Sequence, residues 1–147
     1  MSLPDVFNLQ RFVDAQEPLY EQVRRELSAG RKQSHWMWFV FPQLRGLGHS
    51  SMAVRYGISS RAEAEAYLQH PVLGARLREC TQLVNLIQGR SVEAIFGYPD
   101  ELKFRSCMTL FDRASADDRI FRAALEKYFN GQDDAATLER LGEAGGR

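Results

Sequence analysis

Residues 71–89 read PVLGARLRECTQLVNLIQG. Within them Leu73, Leu77, Cys80, Val84 and Ile87 recur at i, i+4, i+7, i+11 and i+14, the stripe of a helix with one buried face. Gly89 supplies the left-handed stop. Upstream, Ser60 and Glu63 form an S-x-x-E capping box that opens a helix through Ala64 and Tyr67 to the break at His70-Pro71. Nearer the start, Asn8 suits an N-cap before Leu9, Phe12 and Val13, and Pro18 suits a first helical position before Leu19, Val23, Leu27 and the stop at Gly30. Downstream, a short turn from Ser91 to Phe96 closes at Gly97. Asp100 then caps a segment with Phe104, Cys107, Met108 and Phe111 on one side. Asp117 or Asp118 opens the next helix, whose Phe121, Ala124, Leu125 and Tyr128 share a face before Asn130-Gly131, and Asp133 to Leu141 is a last short helix.

No run alternates apolar with polar residues long enough to argue a sheet. The expectation is an all-α fold: a compact single-domain bundle of about seven to eight helices over residues 1–141, with a frayed glycine-rich tail at 142–147. One stretch, Trp36 to Phe41, fits strand or buried helix by periodicity, and Ser34 as N-cap with Pro42 as terminator favours helix.

Composition narrows the function. The chain has 147 residues, 44% apolar and 26% charged, which suits one packed domain. Nineteen basic and nineteen acidic side chains cancel, against the basic surface of a general nucleic-acid binder. Cys80 and Cys107 sit in apolar helical patterns with no C-x-x-C spacing, so buried free thiols in a reducing compartment are expected rather than a disulfide or zinc site. The start MSLPDVFNLQ lacks a signal-peptide pattern and no apolar run approaches ~20 residues, so the expected location is cytoplasmic, away from the membrane. No G-x-S-x-G or HExxH motif occurs, and His35, His49 and His70 are scattered, so neither a metal nor a cofactor is implied. The pairs Asp117-Asp118 and Asp133-Asp134 read as helix-start residues.

The segment most like a site is 31–51, RKQSHWMWFVFPQLRGLGHSS, which holds both tryptophans. Indole faces can stack a base or a cation, and His35, Gln43 and Arg45 can direct hydrogen bonds. The competing reading puts Trp36, Phe39 and Val40 in the core. The Gly46 to Ser51 loop, if followed by a helix near Ser51, has the form of an anion site around Gly48 and His49; otherwise it is a loop needing positive φ at its glycines. On a later helix Lys103, Ser106 and Thr109 form a polar strip beside Arg105 and Arg113. It is either a solvated face or, since Ser and Thr are poor surface helix formers, a buried or pocket-facing one.

The tracts FNLQRFVDAQ, SHWMWFVFPQLRGLG, MAVRYGISS through EAYLQHPVLGARLREC, and FGYPDELKFRSCMTLF resemble the bacterial family called domain of unknown function 1810 from Val6 to about Leu141. That resemblance implies a small, mainly helical cytosolic protein without established activity. Some members carry the label calpastatin, an intrinsically disordered inhibitor, whereas this chain has the composition and helix caps of a packed domain. A second similarity is to the YbiA-like superfamily of small helical proteins acting on ADP-ribose or NAD-derived N-glycosides. It implies Glu63 or Glu65 as an acid, Lys103 as a pocket cation and a tryptophan stacking the base, with Glu63 departing from that role if it serves the capping box.

Two functions follow as expectations. The first is binding or hydrolysis of a small nucleotide-like ligand, an ADP-ribose derivative or N-glycoside, by His35, Trp36, Trp38, Gln43, Arg45, Gly48, His49, Lys103 and Ser106. The second is a non-catalytic interaction module that docks protein or RNA through exposed aromatics and the Arg24-Arg25 and Arg31-Lys32 cluster. An exposed patch at Trp36 to Phe41 would favour the second. Oligomeric state is not legible in the sequence.

Overall fold

The computed structural model describes residues 4–142, so most of the expected C-terminal tail lies outside the described residues. Among the described residues are ten helices: α1 (Gln10–Gln16), α2 (Tyr20–Ser28), α3 (Met37–Val40), α4 (Ser51–Arg55), α5 (Arg61–Gln69), α6 (Leu73–Leu86), α7 (Val92–Phe96), α8 (Asp100–Ala114), α9 (Ile120–Phe129) and α10 (Ala135–Arg140). The fold is all-helical as expected, and the count of seven to eight is corrected to ten. Single turns such as α3 and α4, of four and five residues, are too short to display a hydrophobic period.

Around α8 pack α5, α7, α9 and α10, while α6 pairs with α2, α5 and α9. The α6 stripe is buried as its spacing requires, at Leu73, Leu77, Cys80 and Val84. Its C-terminus is closed by α9: Lys127 Nζ donates to Asn85 O (2.6 Å) and Ile87 O (2.5 Å), and Tyr128 Oη donates to Val84 O (2.5 Å). Aromatic rings fill the centre. Phe41 meets Phe104 edge-on at 5.1 Å and Phe96 at 5.8 Å, and Phe12 meets Tyr67 at 5.1 Å. Both cysteines are buried and free; burial pushes the Cys80 thiol up to about 12 and Cys107 well above its ordinary value.

Several predicted caps are replaced by others. Asn8 adopts φ +54°, and the α1 amides of Leu9 and Gln10 donate instead to Asp5 (2.7 and 2.9 Å). Pro18 lies in the turn before α2. Asp100 makes no cap bond and pairs with Lys32 and Lys103. Neither Asp117 nor Asp118 caps α9, whose N-cap is Arg119; Asp118 pairs with Arg78, and Asp133 with Arg113 and Arg122. Asp134 does cap α10, accepting from Thr137 N at 3.0 Å. Among the described residues no helix is long and apolar enough to cross a membrane.

Candidate functional site

Within 31–41, Trp36, Met37, Phe39, Val40 and Phe41 are core, while Arg31, Gln33 and His35 are exposed and Trp38 is half-buried. Buried Glu26 on α2 accepts through Oε1 from Gln33 N (2.8 Å), Ser34 N (3.0 Å) and Trp36 Nε1 (2.9 Å), and through Oε2 from Ser34 Oγ (2.7 Å) and Gln22 Nε2 (3.0 Å). Burial pushes its pKa up, but these donors outweigh burial and hold it at about 2. Ser34 therefore serves Glu26, and α3 starts at Met37 with Trp36 as its N-cap and no side-chain cap bond. Trp36 has no exposed surface, which corrects its placement among ligand-binding residues: a ring enclosed by core presents no face to a solute.

Glu63 is likewise committed. Arg11 spends all five of its N–H groups, on Arg55 O (2.9 Å), Phe7 O (2.7 Å), Asn8 O (2.9 Å), Gly57 O (3.0 Å) and Glu63 Oε2 (2.9 Å). The other Glu63 oxygen accepts from Ser59 N (2.8 Å) and Ser59 Oγ (2.7 Å). The capping box is thus half made: Ser60 Oγ accepts from Glu63 N (3.2 Å), while the carboxylate reaches Ser59. With its side chain 2% exposed and both oxygens accepting from Arg11 or Ser59, Glu63 is enclosed rather than open to a ligand, a correction to its candidacy as an acid. Glu65 is exposed and lies 3.6 Å from Arg61.

Of the remaining candidates, Trp38, Gln43, Arg45 and Gly48 gather around turn 43–45. Leu44 and Ile58 form an isolated parallel bridge that pins this turn: Ile58 N donates to Gln43 O (2.8 Å) and Arg45 N to Ile58 O (2.7 Å). On one side, half-buried Trp38, Gln43, Gly48 and Met52, with buried Leu44 and Tyr56, line a shallow cleft of about 10 Å³. Lys103 Nζ stands 5.1 Å from the Trp38 ring centre and 3.1 Å from Asp100. On the other side, a groove of about 440 Å³ is lined by Leu44, Arg45, Ser59, Ser60, Arg61, Arg140 and Leu141.

His35 and His49 are exposed and line neither concavity. Ser106 is buried, its Oγ donating back to Leu102 O (3.2 Å), and Thr109 donates to Arg105 O (2.9 Å) and accepts from Asp134 N (2.9 Å). The polar strip of α8 is therefore internal. Gly46 adopts φ +100°, where a Cβ would collide with the Arg140 guanidinium. At α4 the free end is already served by Ser50 Oγ, which accepts from Ala53 N (3.1 Å). Among the described residues no three His, Cys or carboxylate side chains could hold a metal ion. Sequence reasoning missed Ser59, Ser60, Arg61 and Arg140; only the glycine at 46 hinted that something presses on that turn.

Among the described residues the chain is an all-helical bundle. The chain is a member of the family described as protein of unknown function (DUF1810), whose pattern matches residues 6–141. It is similar to the conserved hypothetical protein Rv1873 from Mycobacterium tuberculosis, with 62% sequence identity and a TM-score of 0.93 over 94% of this chain and 99% of that one. No curated protein matches it.

Proposed function

We propose that the chain binds a small nucleotide-like ligand along turn 43–45. The reading is carried by the two unlike concavities that this turn separates, an indole-lined cleft and an arginine-lined groove that share Leu44. A ligand that joins a flat base to a neighbouring phosphate or diphosphate, as an ADP-ribose derivative or NAD-derived N-glycoside does, matches both. The cleft has room for about one water, so the ring packs across its mouth against Trp38 and Gln43.

Cleavage of an N-glycoside needs a carboxylate beside the reacting carbon. Glu63 is spent on Arg11 and Ser59, which leaves Glu65 as the acid to remove if turnover is detected. The interaction-module reading loses its main support, because Trp36, Met37, Phe39, Val40 and Phe41 are buried and Arg24 is paired with Glu21 and Glu79.

Thermal melts against NAD, ADP-ribose, nucleotides and nucleosides test the reading, since a ligand of the native state raises the melting temperature by mass action. The expected result is a dose-dependent rise with ADP-ribose, with quenching of Trp38 fluorescence. Binding should weaken about tenfold in a folded Trp38→Ala variant. No rise with any of these compounds overturns the proposal.

A further inference from the structure

We infer that the groove beside turn 43–45 is a phosphate site that recognises a diphosphate or phosphate ester. Its three guanidiniums come from separate parts of the chain: Arg45 from the turn, Arg61 from the first turn of α5 and Arg140 from the end of α10. Among the described residues its lining contains no acidic and no aromatic side chain. Arg61 already meets Glu65 at 3.6 Å and donates to Arg113 O (2.6 Å), and Arg11, Arg76, Arg78 and Arg122 all meet carboxylates elsewhere in the molecule. Arg45 and Arg140 meet none among the described residues. Arg45 donates to Gly57 O (3.2 Å) and Arg140 to Arg45 O (3.2 Å), bonds that hold the heads in place and leave further N–H groups for an anion.

Bringing the Arg45 and Arg140 charges together with no carboxylate beside them among the described residues costs free energy that a structural role does not require, and a bound anion relieves it. The planar fork of arginine matches two phosphate oxygens at once. Ser60 Oγ accepts from Glu63 N, so its own hydroxyl hydrogen remains to donate to an anion. Gly46 belongs to the same device, because a side chain there would displace the Arg140 guanidinium. With no aromatic ring in its wall, the groove holds the charged part of a ligand and no base.

The inference rests on the preceding reading only for the remainder of the ligand. Its test is a calorimetric titration of the full chain with inorganic pyrophosphate, run beside adenosine, ADP-ribose, an RNA oligonucleotide, and phosphatidylcholine vesicles doped with phosphatidic acid. Pyrophosphate should bind, about tenfold or more weakly to Arg45→Ala and Arg140→Ala, and more weakly to Gly46→Ala. It should bind within about twofold of wild type to Trp38→Ala and to Arg25→Ala, an exposed arginine outside the groove. Melting curves confirm that each variant is folded. Pyrophosphate binding without ADP-ribose binding supports the phosphate site while ending the nucleotide reading. ADP-ribose binding without pyrophosphate binding overturns the phosphate site alone. Pyrophosphate affinity equal in wild type and both arginine variants, or binding to RNA or vesicles only, also overturns it.

Discussion

Trp36 and Trp38 flank a single residue, yet they serve opposite parts of the molecule. Trp36 is fully enclosed and donates to Glu26, while Trp38 is half-buried at the cleft and carries the Lys103 ammonium over its ring. The contrast extends along the segment. Residues 33–36 are tied to a carboxylate ten positions upstream of Trp36, while Trp38, Gln43 and Gly48 line the cleft beside the Leu44–Ile58 bridge. Crowding of polar and aromatic residues in a sequence is therefore one signal with two physical sources, a hydrogen-bonded core hub and a surface site.

The largest expected effect separates the two rings. Trp36→Ala should destabilise the fold by about 4 kcal/mol through lost burial and a stranded Glu26. Trp38→Ala should cost about 1 kcal/mol or less in urea unfolding. Equal losses would break the comparison.

Next come the two buried carboxylates. Removing one partner of the Arg11–Glu63 pair, by Arg11→Ala or Glu63→Gln, should cost about 3 kcal/mol and leave the other charge unpaired; chemical denaturation measures it. The Glu26 pKa in the folded state, at about 2, lies below the ordinary glutamate value of 4.5. Its stabilisation is thus fully present above about pH 4.5 and is lost as pH falls toward 2, a change of about 3 kcal/mol. Glu26→Gln should lower stability at pH 7 and flatten the acid limb of a stability-versus-pH curve; an unchanged acid limb would remove Glu26 as the organiser of residues 31–36.

The smallest effect sharpens the other side. Arg45→Ala and Arg140→Ala should each change stability by no more than about 0.5 kcal/mol in thermal melts, because both heads lie on the surface and bond only to backbone carbonyls. A large loss would make these arginines structural.

Much of the helical architecture is legible in local pattern. The stripe at 73, 77, 80 and 84, the Ser60, Ser91 and Asp134 caps, and the glycine stops at 30 and 97 all depend on neighbours within a few positions, whereas α6 ends at Leu86 with an extended Ile87, ahead of the stop expected at Gly89. The caps that shifted did so where a distant partner prevailed, as when Ser34 met Glu26 and Asp118 met Arg78. Of the candidate site, Trp38, Gln43 and Gly48 were legible as one cluster because they are close in the chain, with Arg45 beside them. Arg140 was not, since it reaches Arg45 across 95 residues and no spacing rule records that meeting.

Titration of ADP-ribose into the wild-type chain, the Trp38→Ala chain and the Arg140→Ala chain by calorimetry tests the central claim most directly. Saturable binding to wild type, weakened about tenfold or more by either substitution, is the result this structure predicts. Absence of binding to wild type, or affinity untouched by both substitutions, would contradict it.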